Sequence, residues 1–349
     1  MQITNVVPYF INMFNLNTSL LYGCYDDPNV PEMNMTLEEI VRFRGYPIER
    51  HNVQTSDGYI LSMFRIPSAK KGSNPQNRPK EPILLQHGFL ATAYNWILNN
   101  EDQALGFLYK GLFHFIDIRV MRLPFFVAYV LADNGYDVWL GNIRGNSFSK
   151  KHVNYTVLDP EFWDFTWVEM AEYDLPSMID YILNRTNRSQ LIYLGYSQGS
   201  LMGFAKFSSD PIYANKVKTF IAMAPVATVG DILGPAKQLA RFTWTLKVGF
   251  VVGGYRSFGV LKLILKDIQQ SLMNDNRGKN KTCDHLYFNF INPNARANLN
   301  ETLIPLYLSR MPDDTSLKNV AHYGQMISSG LMQKYDYGLL KNYMIYGQM

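Results

Sequence analysis

The chain has 349 residues, 47% of them apolar and 18% charged, with a formal charge of +4. A chain of that length and apolar content can bury a large core, which suits one big α/β domain carrying an insertion or cap and excludes a disordered polymer. The charge is small and the Lys and Arg residues form no stripe, so nothing in the sequence invokes a nucleic-acid partner.

In chain order, residues 1–35 read as a lead-in. Its first part, Met1–Cys24, has no basic start, and Asn12, Asn15 and Asn17 break its apolar run, which makes a poor signal peptide. Glu38–Arg44 is a short helix. Ile48–Gln54 and Tyr59–Ile66 are extended runs joined by Ser56-Asp57-Gly58, a hairpin signal. Lys70–Lys80 is a polar surface loop, and Pro82–Gln86 a buried parallel strand ending at His87-Gly88. Gly111–Ala132 is lipophilic, but Asp117, Arg119, Arg122 and Pro124 argue against a membrane span. Tyr136–Leu140 is a strand, Asp174–Leu183 a helix and Leu191–Gly195 a buried strand; a helix starts straight after Ser197 and runs through Phe207, and Val217–Ala222 is a strand. Strands alternating with helices imply a parallel sheet covered on both faces. From Thr228 to Met311 helical segments replace the alternation, as expected of a cap. Ser316–Ser329 is a last helix, followed by a turn-rich tail.

Gly195-Tyr196-Ser197-Gln198-Gly199 fits G-x-S-x-G with a strand before it and a helix after it, the setting of a nucleophile elbow. A turn that tight tolerates only small residues two positions either side of the serine. It lifts the hydroxyl to a helix N-terminus, where free N–H groups favour developing negative charge. Gln86-His87-Gly88-Phe89 follows an early buried strand, where enzymes with this elbow place one oxyanion-hole amide; the other comes from the residue after the nucleophile, Gln198. The bland alternative is that His87-Gly88 merely ends a strand.

These segments, with Gly45-Tyr46-Pro47, Thr55–Leu61, Gly135–Asn146, Phe162–Phe165, Tyr173–Pro176 and Ala224–Ala227, resemble the acid lipase family of α/β-hydrolases, the gastric and lysosomal lipases and their relatives. The resemblance implies an α/β-hydrolase core over 36–227, a helical cap over 228–314 above the acyl pocket, and an incomplete return to the core over 315–349. It also implies hydrolysis of lipid esters such as triacylglycerols or cholesteryl esters, with Ser197 as nucleophile and the Phe89 and Gln198 amides as oxyanion hole. No cofactor or metal is expected, since Cys24 and Cys283 have no metal-ligand spacing. Cys283 has no neighbouring cysteine for the family's cap disulfide. Seven Asn-x-Ser/Thr sequons, at Asn17, Asn34, Asn154, Asn184, Asn187, Asn280 and Asn300, lean toward a secreted or lysosomal protein.

The pattern also departs from the family. The elbow serine needs a base and an acid to orient that base, and in this fold Asp or Glu and then His follow the serine on later strands. Four of the six histidines (His51, His87, His114 and His152) precede Ser197. His285 lies in the cap, and His322 sits inside a helical pattern with no strand before it, where a surface or packing role is expected ahead of one as the base. The family's acid and histidine are borne on two strand–helix units beyond this tail, about 60 residues at roughly 30 each. Without them the chain is expected to have little esterase activity by itself and to leave the Val217 strand as a sheet edge. A lipase with a shortened record or isoform and a non-catalytic lipid-binding relative both remain open. Extra apolar sequence between Asn100 and Val130 reads as an insertion, either a helix at the pocket rim or retained non-coding sequence. The glycines Gly253, Gly254 and Gly259 lack the setting of a phosphate loop. The apolar stripe of Leu246–Leu265 is either the buried face of a cap helix or a lipid-interface contact.

Overall fold

The computed structural model describes residues 30–70, 80–99, 127–231, 256–259 and 303–347. Most of the cap segment, the stripe at Leu246–Leu265, Gly253-Gly254, His114, His285, both cysteines, most of the insertion and the sequons at Asn17, Asn280 and Asn300 lie outside the described residues.

Helix α1 (Leu37–Phe43) begins one residue earlier than the apolar spacing predicts. The reason is a capping box, in which the Thr36 side chain accepts from the Glu39 N–H and the Glu39 carboxylate accepts from the Thr36 N–H at 2.7 Å. Strands β1 (Glu49–Gln54) and β2 (Tyr59–Ile66) form the expected antiparallel hairpin, with Gly58 at φ +103 in its turn. Strand β3 (Pro82–Gln86) is buried throughout. Helix α2 (Val127–Asp133) follows, then β4 (Asp137–Gly141) and the two-residue β5 (Lys151–His152). A turn of π-helix at Met170–Asp174 leads into α3 (Leu175–Thr186). Beyond it come β6 (Leu191–Tyr196), α4 (Gln198–Ser209), α5 (Pro211–Asn215) and β7 (Val217–Met223). Helix α6 (Ile304–Arg310) precedes α7 (Leu317–Ser329), which Ser316 caps. The tail read as turns contains a further helix, α8 (Leu339–Tyr346), whose apolar residues face outward. Its apolar residues do not settle into one buried stripe, so periodicity gives no signal there.

The strands order as β1-β2-β4-β3-β6-β7, with β5 against β2; β4, β3, β6 and β7 run parallel. Among the described residues β7 pairs only with β6 and forms the edge of the sheet.

Alternation along the strands builds two cores. Ile83, Leu85, Val138, Leu140 and Leu194 point to one face, against Ile40, Trp96, Ala128, Tyr129 and Tyr307. Leu84, Trp139, Leu191 and Tyr193 point to the other, against Met178, Ile179, Leu201 and Met202. Each strand is therefore apolar on both sides, as parallel strands sandwiched between helices must be. Register aligns Gln86 with both Gly141 and Gly195, and Tyr196 with Met223. The carboxyl ends of four parallel strands thus finish side by side, where open α/β sheets hold ligands. No described helix is long and apolar enough to cross a membrane.

Candidate active site

Ser197 occupies the single residue between β6 and α4, at φ 51 and ψ −113. A non-glycine residue there costs about 1–3 kcal/mol, so the surroundings must impose it. They do so through hydrogen bonds and close packing. The Ser197 N–H donates to the Met223 carbonyl at 2.9 Å, tying the turn to the end of β7. Its carbonyl accepts from the Ser200 and Leu201 N–H groups at 2.9 and 3.2 Å and from the Ser200 hydroxyl at 2.6 Å. Ser197 as a residue is half-buried, and no described residue hydrogen-bonds its hydroxyl.

The flanking glycines are required by distance. A Cβ on Gly195 would stand 2.5 Å from the carbonyl carbon and oxygen of Gly199. One on Gly199 would stand 2.4 Å from the Gln86 carbonyl oxygen. The spacing of the motif is the spacing of two backbone crossings, strand against helix and helix against the end of β3.

The loop after β3 reaches the serine in the same way. A Cβ on Gly88 would come within 3.1 Å of the Ser197 Cβ and 3.0 Å of the Tyr196 ring, so glycine lets this backbone lie close against the elbow without displacing either. Phe89 follows this glycine, its ring 4.5 Å from that of Tyr323 on α7. Leu90 is at φ 54, and its carbonyl accepts from the Asp313 N–H at 2.7 Å. Gln198 opens α4, where an N–H has no helical partner. Neither the Phe89 nor the Gln198 N–H is engaged by a described residue. The three residues singled out from the sequence thus lie at the ends of two neighbouring parallel strands, Phe89 in the loop after β3 and Ser197 and Gln198 at the turn from β6 into α4.

Buried polar side chains fix this frame. His87 is fully buried, which pushes its imidazole down to about 4 and keeps it neutral. The Gln198 amide group donates to the Met170 sulfur at 3.3 Å and accepts from the Asn319 Nδ2 at 3.1 Å. Asn319 accepts in turn from the Trp167 N–H at 2.8 Å. Nothing local in the sequence announced Asn319; the only hint was a polar residue inside the apolar spacing of α7. Below the loop after β4, the Arg144 guanidinium meets Asp174 at 2.7 Å and Asp57 at 2.6 Å, over the face of Tyr59. Burial pushes the Asp174 carboxyl up, and the guanidinium opposes that shift.

His322 is buried. Its Nε2 faces the Gln333 carbonyl at 2.9 Å, and its ring stacks on Trp167 at 5.1 Å between centroids. Burial pushes it too down to about 4. Of the surface and packing roles expected for it, the structure gives the packing one.

The chain is similar to known proteins over most of its length. A family described as a partial alpha/beta-hydrolase lipase region matches residues 37–100, and one described as the alpha/beta hydrolase fold matches residues 81–244. Lipase member K of Mus musculus is 38% identical over 88% of this chain and 71% of its own length. Gastric triacylglycerol lipase of Mus musculus is 37% identical over 92% of this chain and 75% of its own length. Lysosomal acid lipase/cholesteryl ester hydrolase of Homo sapiens is 37% identical over 91% and 73% respectively.

Proposed function

This chain belongs to the acid lipase family of α/β-hydrolases, and we propose that it is a serine ester hydrolase acting on lipid esters, triacylglycerols or cholesteryl esters, with Ser197 as nucleophile. The observation that carries this reading is the forced conformation of Ser197, with the Gly88 backbone packed on it. In the reaction, the Ser197 oxygen adds to the ester carbonyl carbon and the carbonyl electron pair moves onto oxygen. The Phe89 and Gln198 N–H groups hold that oxyanion. Collapse expels the alcohol with a proton and leaves an acyl-serine, which water then cleaves. Each such donor typically lowers the barrier by about 3–4 kcal/mol.

A base must remove the serine proton, and no histidine among the described residues bonds to Ser197. Acylation and deacylation by these residues alone are therefore both expected to be slow. The sequon asparagines Asn34, Asn154, Asn184 and Asn187 are all exposed, which supports a secreted or lysosomal glycoprotein. Incubation with the p-nitrophenyl ester of a fatty acid tests the assignment. A slow release of nitrophenolate approaching one equivalent, absent in Ser197→Ala, is expected. Ester binding with no Ser197-dependent release would identify a lipid-binding relative instead.

A further inference from the structure

His87 borders the elbow, and its role as the first residue of a motif does not explain its contacts. Its Nε2 faces two donors, the Asn146 Nδ2 at 3.1 Å and the Ile143 N–H at 3.4 Å. The Asn146 amide is oriented independently, because its oxygen accepts from the Phe148 N–H at 3.0 Å while its nitrogen also donates to the Asn142 side-chain oxygen at 3.1 Å. Nε2 must therefore be an acceptor, and the ring proton resides on Nδ1. Nδ1 lies 2.9 Å from the Gly88 carbonyl oxygen, so the Nδ1–H donates to it.

That carbonyl belongs to the same peptide unit as the Phe89 N–H. The unit is trans, so the two groups point in opposite directions. A bond that fixes the direction of the Gly88 oxygen therefore also fixes the direction of the Phe89 N–H, on the opposite side of that peptide. Without it, this loop could rotate the peptide and present a carbonyl oxygen where an anion must be stabilised. We propose that His87 is a positioning residue, whose Nδ1–H clamps the Gly88 carbonyl and so aims the Phe89 amide at the oxyanion. The proposal rests on the reading of Phe89 and Ser197 given above.

The test uses three substitutions and one spectrum. In His87→Asn the amide nitrogen takes the place of Nδ1 and still reaches the Gly88 oxygen. In His87→Gln the polar group is displaced toward Asn146. His87→Leu removes both bonds. The readout is the rate at which a p-nitrophenyl alkylphosphonate labels Ser197, measured across probe concentrations so that binding and bond formation separate. His87→Gln and His87→Leu should slow the bond-forming step by about 10–100-fold with probe binding within about twofold, and His87→Asn should recover most of the loss. With labelling still dependent on Ser197, equal rates in all variants, or equal losses in His87→Asn and His87→Gln, would overturn the positioning role alone. Labelling that survives Ser197→Ala would overturn the parent reading and the proposal with it. Nitrogen-15 spectra of the histidine-labelled native protein decide the point without any variant. A neutral ring protonated on Nδ1 is required, and an Nε2–H tautomer at His87 contradicts it.

Discussion

The two ends of the parallel strands are built on opposite principles. At the carboxyl ends of β3, β4 and β6 the backbone is crowded to contact, Ser197 and Leu90 take positive φ values, and His87, Gln198, Asn319 and Arg144 are buried with their polar groups matched. At the amino ends, Glu81, Pro82, Arg188, Ser189, Gln190 and Lys218 line an open hollow of about 390 Å³. There the Lys218–Glu81 pair, 2.6 Å apart, lies largely in solvent. Gly135, ahead of β4, has φ +87 and open space around it. One end holds positive-φ residues and buried polar groups; the other is open surface.

The largest expected difference is chemical. Ser197→Ala should abolish acyl transfer to the chain, leaving only the background hydrolysis of the ester. Nitrophenolate release measures it, and the melting temperature should hardly move. Next comes Arg144→Met, which leaves Asp174 buried beside Asp57 without its counter-charge. Removing one partner of such a pair costs about 3–5 kcal/mol, read as a lower urea midpoint at constant slope.

Acid should also act on the site end. His87 and His322 are held near 4 by burial, below the 6.5 of an exposed imidazole. The unfolded chain therefore binds protons that the folded chain refuses. Stability is complete above about pH 6.5 and falls as pH drops toward 4, by about 2–3 kcal/mol per histidine. Urea midpoints at pH 7 and 4.5 measure this. His322→Asn should show a smaller drop than the native protein, and an unchanged drop would remove His322 from the account.

Backbone substitutions sharpen the contrast. Gly199→Ala drives a methyl group into the Gln86 carbonyl and should cost about 2–3 kcal/mol, whereas Gly135→Ala meets only its own φ strain and should cost about 1 kcal/mol. Smallest of all, Lys218→Ala should change stability by less than about 0.5 kcal/mol, as exposed ion pairs do.

Much of the functional end was legible because its chemistry is local in sequence. The elbow needs small residues on both sides of the serine, so Gly195 and Gly199 announce it, and β3 ends at His87-Gly88 as the apolar run predicts. The boundaries of α1 and α7 turn on Thr36 and Ser316, whose capping bonds periodicity cannot show. Asn319 touches Gln198 across 121 positions of sequence, and no pattern within α7 could reveal that contact. The direction of the His87 proton was equally hidden, since it depends on which atoms of Asn146 and Ile143 face the ring. Helix α8 escaped because it buries no stripe.

The central claim is that the Ser197 oxygen and the Phe89 and Gln198 N–H groups share one small space. A crystal structure of the phosphonylated protein tests it most directly. The account predicts phosphorus bonded to the Ser197 oxygen, and a phosphoryl oxygen about 2.7–3.1 Å from both amide nitrogens. A phosphonate on another residue, or one on Ser197 whose oxygen turns away from both amides, would contradict it.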